Sequence, residues 1–312
     1  MTLNELKQRY LSREIEKKEY IDGMHERHQI LFDYADYLSN SGIERIEITA
    51  DGVLMTISDG DIRLHVPRAD KRVIPIEILN FGAHEAQEWR MISRLLPARP
   101  VVFDIGANVG WYTIRFARFD GGAEVHAFEP VPYTYEALRA NLVLNSIDGV
   151  VVNNRGLWET AGEMDIFFDP SLSGAASARD ILGTKPPATR CRFTTLDEYR
   201  STLDTPVDFI KCDVEGGELF VFKGGLRTLE TDRPVVFAEL LRKWAATFGY
   251  HPRDVVGLLH ELGYGCYEIS EKDTLAETTI DDSTAATNFF FLHEDAHRAI
   301  IEGLSLSTNK ER

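Results

Sequence analysis

Residues 101–113 read VVFDIGANVGWYT. An apolar run reaches Asp104, a tight loop carries Gly106 and Gly110, and a second apolar run follows at helical spacing. Glycine permits the sharp turn from strand to helix and lets a ligand lie against the main chain. Such a unit opens a parallel α/β sheet, in which ligands sit beyond the carboxyl ends of the strands. The loop amides are then expected to face a carboxylate or a phosphate. The spacing Gly106-Ala107-Asn108-Val109-Gly110 is not the G-x-G-x-x-G of a pyrophosphate dinucleotide site, which counts against a nicotinamide-dependent oxidoreductase.

The next strand ends in HAFEP, residues 126–130, and Glu129 follows Asp104 by 25 positions. An acidic side chain at the tip of the second strand can accept both ribose hydroxyls, each charge-assisted hydrogen bond contributing about 1.5–3 kcal/mol. Asp104 is positioned to hold an ammonium group or a water bridging to it, while the loop amides take a carboxylate. An amino-acid head, a ribose and an adenine together make S-adenosylmethionine. The adenine is expected against the end of the third strand, near Asn153, Asn154 and Gly156.

Residues 208–225, DFIKCDVEGGELFVFKGG, place Asp213 at the end of a fourth strand, with Glu215, Gly216, Gly217 and Glu218 opening a helix. Acids at a helix start are also favoured by the macrodipole, so capping competes with chemistry for Glu218 above all. Asp213 is the leading general base, with His251 and His126 as weaker alternatives. Glu239 ends the fifth strand, in VVFAEL, so it and Asp213 can meet at one edge of the cleft. A magnesium ion held by Asp213 and Glu239, with or without Glu215 as a third ligand, is the second route considered, ranked below a metal-free base because the acids follow no metal-binding motif.

From residue 101 onward, apolar strands at 101–105, 124–128, 150–153, 207–212 and 234–240 alternate with helical patterns at 110–118, 133–145 and 218–230. This predicts an α/β, Rossmann-like doubly wound sheet with right-handed crossovers. Two further strands, 266–269 and 288–292, suit an antiparallel edge hairpin. Upstream, residues 1–42 read as two helices, and residues 44–66 switch to a period of two around Asp51-Gly52 and Asp59-Gly60, the mark of a small antiparallel meander. The domain reading is therefore 1–66 as an accessory module for self-association or acceptor capture, 67–306 as the ligand-binding domain, and 307–312 as a frayed tail. The small-residue stretch within 169–187 suits either a lid or a solvated loop.

The 312 residues carry 34 Lys and Arg against 50 Asp and Glu, a formal charge of −16. That field repels phosphate backbones and anionic membranes, so neither nucleic acid nor a membrane is expected as a partner. Three scattered cysteines, Cys191, Cys212 and Cys266, make neither a disulfide framework nor a zinc pattern and are expected to be buried thiols. With no signal-like or membrane-length apolar stretch, the expected location is the cytoplasm.

The segments DIGANVGWYT, AFEP, DFIKCDVEGGEL and VVFAEL occur in an order that resembles the FkbM-type methyltransferases, over roughly residues 81–240. The resemblance implies a class I methyltransferase sheet that uses S-adenosylmethionine. It implies O-methylation of a hydroxyl on a sugar, polysaccharide or natural product. Carried to this chain, Asp104, Gly106, Asn108, Gly110 and Glu129 become cofactor residues and Asp213, Glu215 and Glu218 the site acids. Trp111 and Cys212 depart from the family's usual residues and bear on pocket shape. The rival from outside enzymes is a non-catalytic S-adenosylmethionine-binding module, against which the retained acids argue.

Overall fold

The computed structural model describes residues 1–270 and 273–306. The tail expected to fray, 307–312, lies outside the described residues. Three helices lead in: α1 (Leu3–Leu11), α2 (Lys17–His28) and α3 (Ile30–Leu38). The sequence suggests two. The extra helix, α2, reads KKEYIDGMHERH, with Tyr20, Ile21 and Met24 as its large apolar residues, too few to mark a stripe. The expected meander follows as β1 (Ile43–Thr49), β2 (Gly52–Ile57) and β3 (Ile62–Val66), paired antiparallel in that order.

Next come α4 (Ile74–Phe81), α5 (Ala86–Leu95), β4 (Val101–Ile105), α6 (Trp111–Ala117), β5 (Glu124–Phe128), α7 (Pro132–Leu144) and β6 (Val151–Asn153). A second small sheet is made of β7 (Gly156–Leu157), β8 (Gly162–Phe167) and β9 (Ala188–Thr194). The chain continues with α8 (Leu196–Arg200), β10 (Phe209–Cys212), α9 (Glu218–Lys223), α10 (Leu226–Thr231), β11 (Val235–Glu239), α11 (Arg242–Thr247) and α12 (Pro252–Glu261). It closes with β12 (Tyr264–Ile269), β13 (Leu275–Glu277), β14 (Asn288–His293) and α13 (Arg298–Leu306). The single helix expected over 218–230 is split at Gly224-Gly225, where a Cβ on Gly224 would stand 2.1 Å from the Trp158 carbonyl oxygen.

The main sheet runs β13-β12-β14-β11-β10-β4-β5-β6. Strands β6, β5, β4, β10 and β11 are parallel, and β14 inserts antiparallel between β11 and β12. The two late strands thus pair as expected, but β14 is interior and β13 caps the edge. Because side chains alternate along a strand, Val102, Phe209 and Phe237 enter the core on one face. Phe103, Ile105, Ile210 and Cys212 enter the other. Both faces are covered, as near-continuous apolar strands require.

The meander belongs to the first of these cores: Ile43, Met55, Ile57, Ile62 and Leu64 cluster with Val102, Ile114 and Leu138. The boundary expected between residues 66 and 67 is therefore crossed by packing. The free edge of β3 is satisfied by α7 side chains in place of a fourth strand. Asn145 accepts from the Arg63 amide at 2.9 Å and donates to the Arg63 carbonyl at 2.6 Å, and Asn141 accepts from the His65 amide at 3.0 Å. Replacing Asn145 with Leu should lower stability by about 1–3 kcal/mol, the scale of a backbone pair left unsatisfied. Urea unfolding of the variant checks this, and an unchanged midpoint would show that the strand edge does not need the amide.

Candidate active site

The glycine loop joins β4 to α6 at the carboxyl end of the sheet. Gly106 has φ +76°, and a Cβ there would stand 1.8 Å from the Asp213 carbonyl oxygen, so the loop lies directly on the chain leaving β10. Asp104 is fully buried on β4 and accepts from the Thr113 hydroxyl at 2.5 Å. Its neighbour across the sheet is Lys211, which sequence reasoning missed. The Lys211 ammonium donates to the Gly106 carbonyl at 2.8 Å and lies 3.5 Å from Asp104 and 3.6 Å from Asp213. Burial works against the Lys211 charge, but Asp213 and Asp104 outweigh it and hold the ammonium firmly protonated. The signal available in the sequence was a single Lys inside an otherwise apolar strand, FIKC.

Glu129 lies just beyond β5 and turns over the loop. Its carboxylate accepts from the Asn108 amide at 2.9 Å, the Val131 amide at 3.0 Å and the Thr134 hydroxyl at 2.7 Å. Burial raises its pKa, and those donors work in the opposite direction. A carboxylate has about four acceptor sites, so these three leave room for another hydroxyl. The loop amides are less available than the sequence suggests. Those of Gly106 and Ala107 donate to the Phe128 carbonyl, that of Asn108 to Glu129, and that of Gly110 to Ala107. The Asn108 side-chain oxygen is buried with no hydrogen-bond partner among the described residues.

Gly106, Asn108, Glu129, Asp213 and Glu215 share one cavity of about 70 Å³. Three further walls come from elements the sequence did not reveal, Leu157 on β7, Ile166 on β8 and Phe193 on β9, and another is the segment from Ser173 to Ala178, inside the 169–187 stretch read above as a lid or a solvated loop. That segment is no solvated loop. Ser173 and Ser177 are buried, the Ser173 carbonyl accepts from Asn108, and the Ser177 hydroxyl donates to the Glu215 carbonyl at 2.8 Å. The remaining expected residues stand outside the cavity lining. Gly110, at φ +96°, starts α6 against Leu138. Asn154 is exposed and props the turn after β5 by donating to the Glu129 and Pro130 carbonyls. His126 is tied to Tyr199 and Glu124 within the sheet, and His251 caps α12, so neither is placed as a base.

The acids divide into two kinds. Glu218 is 1% exposed and folds back beneath its own loop, accepting from the Val214 and Gly216 amides at 3.0 and 3.1 Å and from the Tyr250 hydroxyl. Burial lifts its pKa to about 7, against the pull of the loop amides. It shapes the 213–217 turn from below. Asp213, Glu215 and Glu239 instead bring one carboxylate oxygen each to within 4.8 Å of one another. Burial, followed by repulsion from Asp213 and Glu215, raises the Glu239 pKa to about 10. All three cysteines are buried and free, as expected.

A family model for the methyltransferase FkbM domain matches residues 104–266, more than half of the chain. The chain belongs to the FkbM methyltransferase family. It is 39% identical to the 31-O-demethyl-FK506 methyltransferase FkbM of Streptomyces tacrolimicus, over 27% of this chain and 35% of that protein. It is 32% identical to the hexuronic acid methyltransferase AglP of Haloferax volcanii, over 52% of this chain and 62% of the relative. It is 28% identical to the methyltransferase sdnD of Sordaria araneosa, over 41% and 61%. The matches thus span between about one third and three fifths of these relatives' lengths. The sheet order, with β14 antiparallel beside the five parallel strands, fits the class I methyltransferase arrangement expected from the sequence. No helix among the described residues is long and apolar enough to cross a membrane.

The family's FIK-x-D segment has a physical reason at its Lys. Changing Lys211 to Met should cost about 3–5 kcal/mol, because Asp104 and Asp213 lose the only ammonium within 4.0 Å of them among the described residues. Chemical denaturation measures this. A Lys211→Met variant as stable as the parent would show that the carboxylates are not held by the charge.

Proposed function

We propose that this chain transfers a methyl group from S-adenosylmethionine to a hydroxyl oxygen of a small molecule or glycan. The observation that carries this reading is that Glu129 and Asn108 line the same cavity as Asp213 and Glu215. Bound there, S-adenosylmethionine supplies an electrophilic methyl on a sulfonium centre. Glu129 takes a ribose hydroxyl. The fully buried Asp104 stands outside the cavity lining with Oδ1 3.5 Å from the Lys211 ammonium, so it acts on the ligand's ammonium end through water or through the loop it supports. Leu157, Ile166 and Phe193 form an apolar wall suited to the adenine. The names of two relatives, the 31-O-demethyl-FK506 methyltransferase and the hexuronic acid methyltransferase, support an oxygen acceptor on a natural product or a sugar.

A hydroxyl is a poor nucleophile until its proton leaves, and general-base help contributes about 10²–10⁴-fold. As the acceptor oxygen bonds to the methyl carbon, the carbon–sulfur bond breaks, its electron pair stays on sulfur, and the hydroxyl proton passes to the acid cluster at Asp213. A cavity of about 70 Å³ is far smaller than the roughly 300–1,000 Å³ of ligand pockets, so the cofactor enters as the segment from Ser173 to Ala178 swings outward. The N-terminal helices expose Ile30, Leu31, Phe32, Tyr34 and Tyr37, which supports their reading as a self-association or acceptor-capture segment. Removal of residues 1–40 should then abolish dimerisation or turnover.

Calorimetry should show binding of S-adenosylmethionine and of its demethylated product, and none of NAD. Glu129→Ala should weaken the cofactor by about 1.5–3 kcal/mol in a folded protein. Asp213→Asn should cut turnover at least about 10²-fold while cofactor affinity moves only a few-fold. NAD binding without any response to the sulfonium cofactor would overturn the reading, as would a fully active Asp213→Asn enzyme for the role of that residue.

A further inference from the structure

Strands β10 and β11 run parallel with Cys212 beside Ala238, so Asp213, just past the end of β10, stands beside Glu239, the last residue of β11. Glu215 reaches the same point from a backbone with φ +53°. One oxygen from each carboxylate lies within 4.8 Å of the other two. Lys211 accounts for one Asp213 oxygen, Oδ2. It does not account for the rest. Asp213 Oδ1 and Glu215 Oε2 are sealed from solvent and have no hydrogen-bond partner among the described residues. Neither Glu215 nor Glu239 has an ion-pair partner within 4.0 Å among them. Buried polar atoms are almost always paired, and a carboxylate without a counter-charge is costly, so two orphaned oxygens within a cluster of three acids mark the place of a missing positive group.

We propose that Asp213, Glu215 and Glu239 form a divalent-cation site of the magnesium or manganese class, open toward the cavity that Asp213 and Glu215 line. Hard cations bind oxygen at about 2.0–2.6 Å, so two oxygens on one ion lie at most about 4–5 Å apart, the spacing seen here. Three protein carboxylates leave other coordination positions for water or for a substrate oxygen. The existence of the site stands on these oxygens alone; its use in catalysis rests on the methyl-transfer reading. In that use the cation would hold the acceptor hydroxyl oxygen and lower its pKa, and the proton would leave to water, which replaces the base role given above to Asp213 with that of a ligand.

The test is a titration of the metal-stripped full chain with Mn²⁺, followed by electron paramagnetic resonance and by the thermal midpoint. One equivalent of Mn²⁺ should bind, be displaced by excess Mg²⁺ and raise the midpoint. Glu239→Gln should weaken Mn²⁺ at least tenfold and abolish the shift, while Glu163→Gln, an exposed acid on β8, should leave both unchanged. Glu215→Gln gives the same readout if the first variant does not fold. Absence of stoichiometric Mn²⁺, or binding that Glu239→Gln and Glu215→Gln leave intact, overturns the site. Titration of S-adenosylmethionine into the same samples separates the two ideas. Mn²⁺ binding without cofactor binding removes the methyl-transfer reading and leaves the site; cofactor binding without Mn²⁺ does the reverse.

Discussion

The Lys211 ammonium joins three pieces of chain that would otherwise have no reason to meet. It sits on β10 between Asp104 of β4 and Asp213 beyond its own strand, and it donates to the carbonyl of Gly106. A charge so buried is tolerated only when it is paired and hydrogen-bonded. Here the pairing fixes the glycine loop against the end of the fourth strand. The contact is so close that position 106 must lack a side chain. Asp104 is anchored in turn by Thr113 on α6, so strand, loop and helix are held by one polar chain running through an otherwise apolar core. The cavity lies where that chain ends.

The same logic separates acids that look alike in sequence. Glu215 and Glu218 are three residues apart, yet only Glu218 collects the turn's amides. By doing so it holds the backbone of Val214 and Gly216 in place, and Tyr250 closes it from beneath with a hydroxyl shared between Glu218 and the Gly216 carbonyl. The turn so fixed throws Asp213 and Glu215 to the opposite side, toward Glu239. One carboxylate is spent on shape so that the others can stand close together with little to neutralise them. That is the order of roles expected of a site where electrostatics is prearranged before a ligand arrives.

The parallel half of the sheet was legible in the sequence because each strand is an apolar run ended by a residue that cannot stay buried alone, such as Glu129 or Glu239. The meander was legible from its Asp-Gly turns. What was not legible depends on partners far along the chain. The sheet of β7, β8 and β9 has a two-residue strand and half-exposed alternation, and its apolar wall appears only when Ile166, Phe193 and Leu157 converge. The Asn141 and Asn145 amides that replace a strand beside β3 are ordinary helix residues in one dimension. Gly110 and Asn154 fit the cofactor pattern by position, yet the first lets α6 pack on Leu138 and the second braces a turn from outside the cavity. Spacing locates the loop and the acids; the direction in which each side chain points is set by packing.

The meander also reaches the site indirectly. Just after β3, Asp70 is buried, and one of its oxygens accepts from the Ser173 hydroxyl and amide while the other accepts from the Arg72 amide. The adjacent Lys71 amide donates to the Ser171 carbonyl at 3.0 Å. The segment over the cavity is thus fastened on one side to the chain leaving the meander and on the other to Asn108 and the Glu215 carbonyl. Outward movement of Ser173 must break the Asp70 contacts and the cavity contacts together, since the segment is too short for one set to stretch while the other holds. These contacts are polar and water can replace each of them, but Ala176 and Ala178 also pack on the apolar cluster of Ile166 and Phe193, and Ser177 pairs its backbone with Phe167 of β8, so the segment is held from that side as well.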